Sequence, residues 1–317
     1  MSQTRQQLFV YSITYEAVDI LRIELRAVPS GALAAFTPGA HINLHFGEGL
    51  SRSYSLINDP AMQGRYEIAV QREAAGRGGS AWIHDRLRVG ERVEASLPAN
   101  AFPLSETATH SVLIAGGIGI TPIRAMIRCL EALGRSWELH YRARSRARAA
   151  FLAELSAPEF AGKVHLSFSD ETPRESCDIA AIIAAAPDEA EIYCCGPLDM
   201  IAAFEAATSG LDPARLHTER FQGEEVAASG GFTVRAVKSN VEVEVREGQT
   251  ILQALREAGL DPDYSCESGL CGECLTRVIA GEPDHKDYFL TETEKKSGEV
   301  IMICCSGSRS PILELDL

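Results

Sequence analysis

The sequence predicts a chain of three parts: an antiparallel β-barrel, a doubly wound parallel α/β domain, and a small α+β domain at the carboxyl end. Three observations predict it. Apolar residues alternate with a period of two through the first hundred residues; short apolar runs alternate with helical patterns from about 110 to 221; and five of the nine cysteines crowd the last fifty-two residues. With 317 residues, 45% of them hydrophobic and 23% charged, the chain is long enough for two or three domains, each with its own core.

Residues 1–105 read as strands. Leu21, Ile23 and Leu25 alternate with Arg22, Glu24 and Arg26, and the same period recurs in Ile42, Leu44, Phe46 and in Tyr66, Ile68, Val70. Turn residues at Pro38-Gly39 and Asn58-Asp59-Pro60 separate the runs, and one helical stretch interrupts them near 80–87. A closed barrel fits, because closure leaves no exposed edge. Over 106–222, strands are expected at 111–115, 137–141, 164–168 and 191–194, with helices at 123–133, 149–155, 179–186 and 200–207. That alternation is the mark of a parallel doubly wound sheet. Residues 223–231, small and polar with a Gly-Gly end, read as a linker. The third domain, 232–317, opens on Val241, Val243 and Val245 and continues into an amphipathic helix at 251–258. Its sixteen acidic and nine basic residues give it a net charge of -7.

Charge excludes some partners. A formal net charge of -14 repels polyanions, so no nucleic-acid partner is expected. The first thirty residues break every apolar run with polar residues, so neither a signal peptide nor a membrane span is expected; the chain reads as soluble and cytoplasmic, with reduced cysteines. A monomer is expected.

Cys266, Cys271 and Cys274 form a C-x4-C-x2-C loop, and Cys304 follows after twenty-nine intervening residues. This is the plant-type spacing for a 2Fe-2S cluster, in which four thiolates hold two irons. Gly269 and Gly272 give the loop freedom to bring backbone amides to the sulfurs. Zinc knuckles favour paired C-x2-C motifs, and only one is present. Spacing and strand register favour Cys304 as fourth ligand, with Cys305 beside it. Glu267 and Glu273 in the loop, with Asp261 and Asp263 before it, are expected to form an acidic surface that steers a basic partner.

Other segments suit nucleotides. Gly116-Gly117-Ile118-Gly119-Ile120-Thr121-Pro122 joins a strand to a helix, where backbone can approach a pyrophosphate and the helix start favours its charge; Cys195-Gly196-Pro197 ends a later strand of the same sheet. In the barrel, Arg52-Ser53-Tyr54-Ser55 offers a guanidinium, hydroxyls and a ring to lie against an isoalloxazine, and Gly78-Gly79-Ser80 precedes a helix. Arg142, Arg144, Arg146 and Arg148 follow the second strand of the central sheet, where a 2'-phosphate would be read; this pulls toward NADP.

The ordered set RxYS, GGIGITP and CGP resembles the ferredoxin-NADP reductase superfamily. With the cysteine loop appended, and with RGGSAWIHD at 77–85, HTERF at 217–221 and GEPDHKDYFLT at 281–291, the whole chain resembles phthalate dioxygenase reductase and its relatives, the vanillate demethylase reductases. The resemblance implies a β-grasp ferredoxin fold for the last domain and FMN in the barrel. It puts Arg52, Ser53, Tyr54 and Ser55 at the flavin and Gly79 and Ser80 at its phosphate. It implies NADH in the central domain, with Gly116, Gly117 and Thr121 near its phosphates, Cys195 and Gly196 near the nicotinamide, and Phe221 near the flavin. A hydride arrives as two electrons and a 2Fe-2S cluster takes one, so the flavin divides them, and no side chain need act as acid or base. The expected activity is that of an NADH-dependent oxidoreductase serving a terminal Rieske-type oxygenase or demethylase. A cytochrome P450 partner, or a flavin/iron-sulfur redox sensor, stands as the alternative.

Overall fold

A computed structural model of the chain describes residues 5–28, 32–46, 50–73, 76, 78–171, 178–221 and 230–317. The expected linker falls largely outside these residues, as does Cys177. The chain forms two compact units, Thr4–Leu50 with Tyr54–Phe221, and Ser51–Ser53 with Gln222–Leu317.

The first sheet holds β1 (Arg5–Ala17), β2 (Ile20–Ala27), β3 (His41–Phe46), β4 (Leu50–Ser55), β5 (Tyr66–Gln71) and β6 (Arg92–Ser96) in the order β4-β3-β6-β1-β2-β5. Helix α1 (Gly79–Arg86) falls between β5 and β6. The amide of Ile57, just past β4, donates to the Glu67 carbonyl of β5, joining the two ends of the sheet into a barrel. Leu8, Val10, Ile23, Leu25, Ile42, Leu44, Tyr66 and Ile68 fill it. Alternation foretold most of that list. Leu21 departs from it and stays only partly buried, while its neighbour Ile20, which alternates to the other face of β2, is buried in the core that also includes Leu113 and Ile123.

The second sheet is parallel: β7 (His110–Gly116), β8 (Ser136–Ala143), β9 (Val164–Phe168), β10 (Glu191–Cys195) and β11 (Leu216–Glu219) in the order β11-β10-β7-β8-β9. Helices α2 (Ile120–Ala132), α3 (Leu152–Leu155), α4 (Ile179–Ala185) and α5 (Leu198–Thr208) connect the strands. The chain works outward from β7 in one direction and then in the other, so the carboxyl ends of β7 and β10 flank the point of reversal, where open α/β sheets bind ligands. Helix α3 is shorter than the expected 149–155. The Ala150 amide donates to the Tyr141 hydroxyl (3.1 Å) and the Phe151 amide to Glu16 Oε1 (2.9 Å), and Phe151 is left-handed (φ 59°), so the helix begins only after it.

The barrel and parallel sheet share a core. Ile57, Ala69 and Phe102 pack with Leu113, Ile123 and Tyr193. Buried Arg124 of α2 donates to the Ile57 carbonyl (2.6 Å) and to Glu154 (2.9 Å), with its guanidinium over the Phe151 ring.

The second unit holds β12 (Phe232–Ala236), β13 (Val241–Val245), β14 (Leu275–Ala280), β16 (Val300–Met302) and β18 (Ile312–Leu315) in the order β13-β12-β18-β14-β16, plus a small ladder of β15 (Pro283–Asp284) with β17 (Gly307–Ser308). The β12-β18 pair is parallel and the other pairs are antiparallel. Helix α6 (Ile251–Glu257), started by a Thr250/Gln253 capping box, buries Ile251, Leu252 and Leu255 against this sheet; α7 (Glu292–Ser297) is likewise capped by Thr291 and Glu294. No described helix is long and apolar enough to cross a membrane.

Replacing Arg124 by Met should cost about 2 to 4 kcal/mol, since it strands a buried carbonyl and removes a cation over a ring. Urea unfolding measures this, and a loss below about 0.5 kcal/mol, the scale of an ordinary surface substitution, would show that the bond to Ile57 contributes little.

Candidate functional site

In the second unit four sulfurs converge. Cys271, Cys274 and Cys304 are buried and Cys266 is half-buried, all as free thiols. The loop turns its amides inward: Ser268 and Leu270 donate to Cys266 Sγ (3.4 and 3.3 Å), and the Cys266 amide donates to Cys271 Sγ (3.4 Å). Hydrogen bonds from Cys271, Cys304 and the Ser268 and Leu270 amides hold the Cys266 thiol well below its ordinary value, and the same bonds push Cys271 and Cys304 above theirs. Cys304 hydrogen-bonds Cys266, Cys274 and Cys305, whereas Cys305 faces the Met302 carbonyl and Ser306. At Gly272 a Cβ would stand 2.4 Å from the Phe289 ring, and at Gly269 2.6 Å from Cys305 Sγ; both glycines are left-handed, so the loop closes only with glycine there. A buried set of four sulfurs, ringed by donors, fits an iron-sulfur cluster. Glu273 departs from expectation: it is 2% exposed and cannot join an acidic surface.

In the first unit, β7 and β10 end side by side. A Cβ at Gly119 would lie 2.2 Å from the Cys195 carbonyl oxygen, and one at Gly196 only 3.2 Å from the Gly116 backbone. Beside this contact opens a cleft of about 1420 Å³, lined by Gly116, Gly117, Arg142, Arg144, Pro197 and Met200 among others. Gly116, Gly117, Cys195 and Gly196 thus lie together at the ends of β7 and β10. Thr121 is buried, and its hydroxyl donates to the Ile118 carbonyl (2.8 Å), which braces the turn rather than facing the cleft.

Sequence reasoning passed over Glu219, although it lies in the HTERF segment. It ends β11 in register with Cys195, and the Cys195 thiol faces its Oε2 at 3.9 Å. Burial pushes the Glu219 carboxyl up to about 8, and burial with the nearby carboxylate pushes the Cys195 thiol well above its usual value. Phe221, two residues on, is 39% exposed.

On the barrel, Arg52, Ser53, Tyr54 and Ser55 occupy β4, with Ser55 buried and Arg52 donating to the Ser51 carbonyl. Gly79 and Ser80 open α1 behind left-handed Gly78, and the Ser80 hydroxyl accepts from the Glu73 amide (3.0 Å).

Two modules that handle nucleotides and a cysteine-loop module define an iron-sulfur flavin oxidoreductase. Residues 234–308 match the 2Fe-2S iron-sulfur cluster binding domain. The chain is 51% identical over 311 residues to phenoxybenzoate dioxygenase subunit beta of Ectopseudomonas oleovorans, covering 98% of this chain and 97% of that one. It superposes on phthalate dioxygenase reductase, described as a modular structure for electron transfer from pyridine nucleotides to [2Fe-2S], with a TM-score of 0.75, 37% identity, and coverage of 99% and 98%. The chain belongs to the phthalate dioxygenase reductase family. It also superposes, with a TM-score of 0.86 and 37% identity, on 41% of an intact type IV self-sufficient cytochrome P450 monooxygenase, again over 99% of its own length.

Because the folded Glu219 carboxyl titrates near 8 and the unfolded one near 4.5, the native state holds the extra proton between these values. Stability therefore falls as pH rises through that window, by at most about 1.4 kcal/mol per pH unit. In nucleotide-free protein, Glu219→Gln should remove this slope, and parallel pH profiles for the two proteins would refute the assignment.

Proposed function

We propose that the chain is the reductase component of a two-component Rieske-type oxygenase or demethylase, passing electrons from NADH through FMN and a 2Fe-2S cluster to the oxygenase. The observation that carries this is the inward-facing amide and sulfur cradle at the end of a chain that matches an oxygenase subunit and a pyridine-nucleotide-to-[2Fe-2S] reductase over nearly their whole lengths. The functional segments are read as 1–105 for flavin, 106–222 for nicotinamide and 232–317 for the cluster, in a cytoplasmic monomer. The superposition on part of a self-sufficient P450 supports a second reading, with a haem protein as acceptor. Reduction of candidate Rieske oxygenases and P450s by NADH with this chain separates the two.

Cys266, Cys271, Cys274 and Cys304 are the proposed cluster ligands. Arg52, Ser53, Tyr54 and Ser55 would line the flavin, with Phe221 near it; Gly79 and Ser80 would hold its phosphate at the start of α1. Gly116 and Gly117 offer backbone to the dinucleotide, Thr121 fixes their turn, and Cys195 and Gly196 form the floor under the nicotinamide. Bound flavin accepts two electrons as a hydride and releases them singly. The protein's part is positioning: Cys195 and Glu219 are both held toward their neutral forms, so they shape the pocket without a full charge, and no side chain is assigned as general acid or base.

The arginines at the end of β8 and just past it support NADH over NADPH. Arg146 pairs with Glu171 (2.7 Å), Arg148 with Asp19 (2.6 Å), and Arg142 donates to Ser169 Oγ. The Asp170 amide, just past β9, donates to the Arg144 carbonyl.

Two results are expected. Cys271→Ser should lose most cluster absorbance yet keep NADH-ferricyanide turnover; an unaltered cluster spectrum would remove Cys271 from the ligand set. Purified holoprotein should release FMN by mass and show a kcat/KM for NADH at least about tenfold above that for NADPH, a gap of roughly 1.4 kcal/mol; FAD or an NADPH preference would overturn the cofactor reading.

A further inference from the structure

Strand register sets residues in rows across one face of the parallel sheet: Val112 of β7 beside Glu138 of β8, then Ile114 beside His140 beside His165 of β9, then Gly116 beside Arg142 beside Ser167. At β7 this face is apolar, and Val112 and Ile114 complete a core with Ile179 and Ile183 of α4 and Phe204 of α5. One strand further out the same face turns polar, with Glu138 and His140 half-buried and His165 exposed on the edge strand. The helix above, α4, carries no charged residue.

The two imidazoles stack, with ring centroids 4.7 Å apart and 20° between their planes. His140 Nε2 lies 3.4 Å from Glu138 Oε1. One ligand atom from each of the three residues falls within 4.8 Å of the other two. Tetrahedral zinc, with bonds of about 2.0 to 2.1 Å, sets its ligand atoms roughly 3.3 Å apart, so the set closes when the side chains move on the order of 1 Å and the two stacked rings turn to bring their in-plane lone pairs onto one point. Burial, with the neighbouring ring of His165, holds His140 toward its neutral form against the opposing pull of Glu138. Metal binding needs imidazole in that form. Arg142, the cation on this face of β8, sends its Nε to Ser169 Oγ (3.3 Å) at the end of β9.

We propose that Glu138, His140 and His165 form a binding site for a divalent transition-metal ion of the zinc class, bridging β8 to edge strand β9. Two imidazole nitrogens and one carboxylate select zinc, nickel or copper over magnesium and calcium, and three protein ligands leave a fourth position for water. Both strands run on from the site into the wall of the nucleotide cleft, at Arg142 and Ser169, so the ion would pin the edge that carries them. The proposal is independent of the electron-transfer reading, since none of the three residues belongs to the flavin, nicotinamide or cluster sets.

The test is calorimetric titration of flavin- and cluster-loaded protein with Zn²⁺, with thermal unfolding in parallel. Wild type should bind one equivalent and unfold at higher temperature with zinc than with magnesium. His165→Gln, at an exposed position that spares the fold, should weaken binding at least about tenfold and abolish the thermal shift, with flavin and cluster spectra unchanged. His165→Cys, which restores a zinc ligand, should recover binding. Zinc held as tightly by both His140→Ala and His165→Gln as by wild type would place the ion elsewhere and overturn the proposal, as would wild-type protein that takes up no zinc.

Discussion

At the reversal point of the parallel sheet, the ends of β7 and β10 meet backbone to backbone. No side chain fits there: the space that a Cβ on Gly119 would need is occupied by the Cys195 carbonyl, and a Cβ on Gly196 would press on Met200 Sδ at 2.6 Å and on the Gly116 backbone at 3.2 Å. From that contact the rest of the cleft follows. It fixes how far apart the two strand ends can be, it lets Met200 lie across Gly116 and Gly196, and it turns Cys195 inward toward Glu219 on β11. Any side chain at Gly119 would have to move β10, and with it the register of β11 and the floor of the site.

A second constraint seats the barrel on this sheet. The tip of the β1-β2 hairpin is held at three points: the Val18 amide donates to the Ala147 carbonyl, Glu16 accepts from the Phe151 amide, and Asp19 pairs with Arg148. The ion pair is two-fifths exposed on both sides and contributes little. Arg124 is different, because its bond to the Ile57 carbonyl is made in a dry setting where an unmet acceptor is costly. Position is therefore set mainly by the buried contacts, while Arg148 and Asp19 cancel each other's charge at the mouth of the cleft. The same economy explains why four arginines in seven residues do not add up to a phosphate pocket: two already face acids of their own.

Much of this was legible in the sequence because it rests on local rules. Period-two alternation found the barrel strands, apolar runs found β7 to β10, and the spacing of Cys266, Cys271 and Cys274 found the loop whose amides turn inward. What escaped depends on partners distant in sequence. Strand β11, Leu216–Glu219, is half-buried and polar, and only pairing with β10 makes it a strand. The start of α3 is set by Glu16, 135 residues away from Phe151. Thr121 looks in sequence like a phosphate ligand, and only the fold shows its hydroxyl spent on Ile118. Glu273 reads as a surface acid, and the tight loop folds it inward.

That inward turn changes the electrostatics around the cluster loop. With Glu273 buried, Glu267 half-buried and Asp263 half-buried, Asp261 is the one exposed acid of the four, so local acidity there is thinner than the sequence implies. Elsewhere on the unit many charges meet partners: Arg235 bridges Glu242 and Glu314, Lys238 holds Asp316, and Arg309 faces Glu282 and Asp284. Pairing lowers the near field but leaves the net charge intact. Over distances beyond a Debye length of roughly 8 to 10 Å even that net charge is largely screened. Attraction of a basic partner would therefore act as a weak, diffuse pull of the whole acidic unit, and orientation would have to come from contacts made beside the cysteine loop itself, where Leu275 and Tyr288 are each 44% exposed.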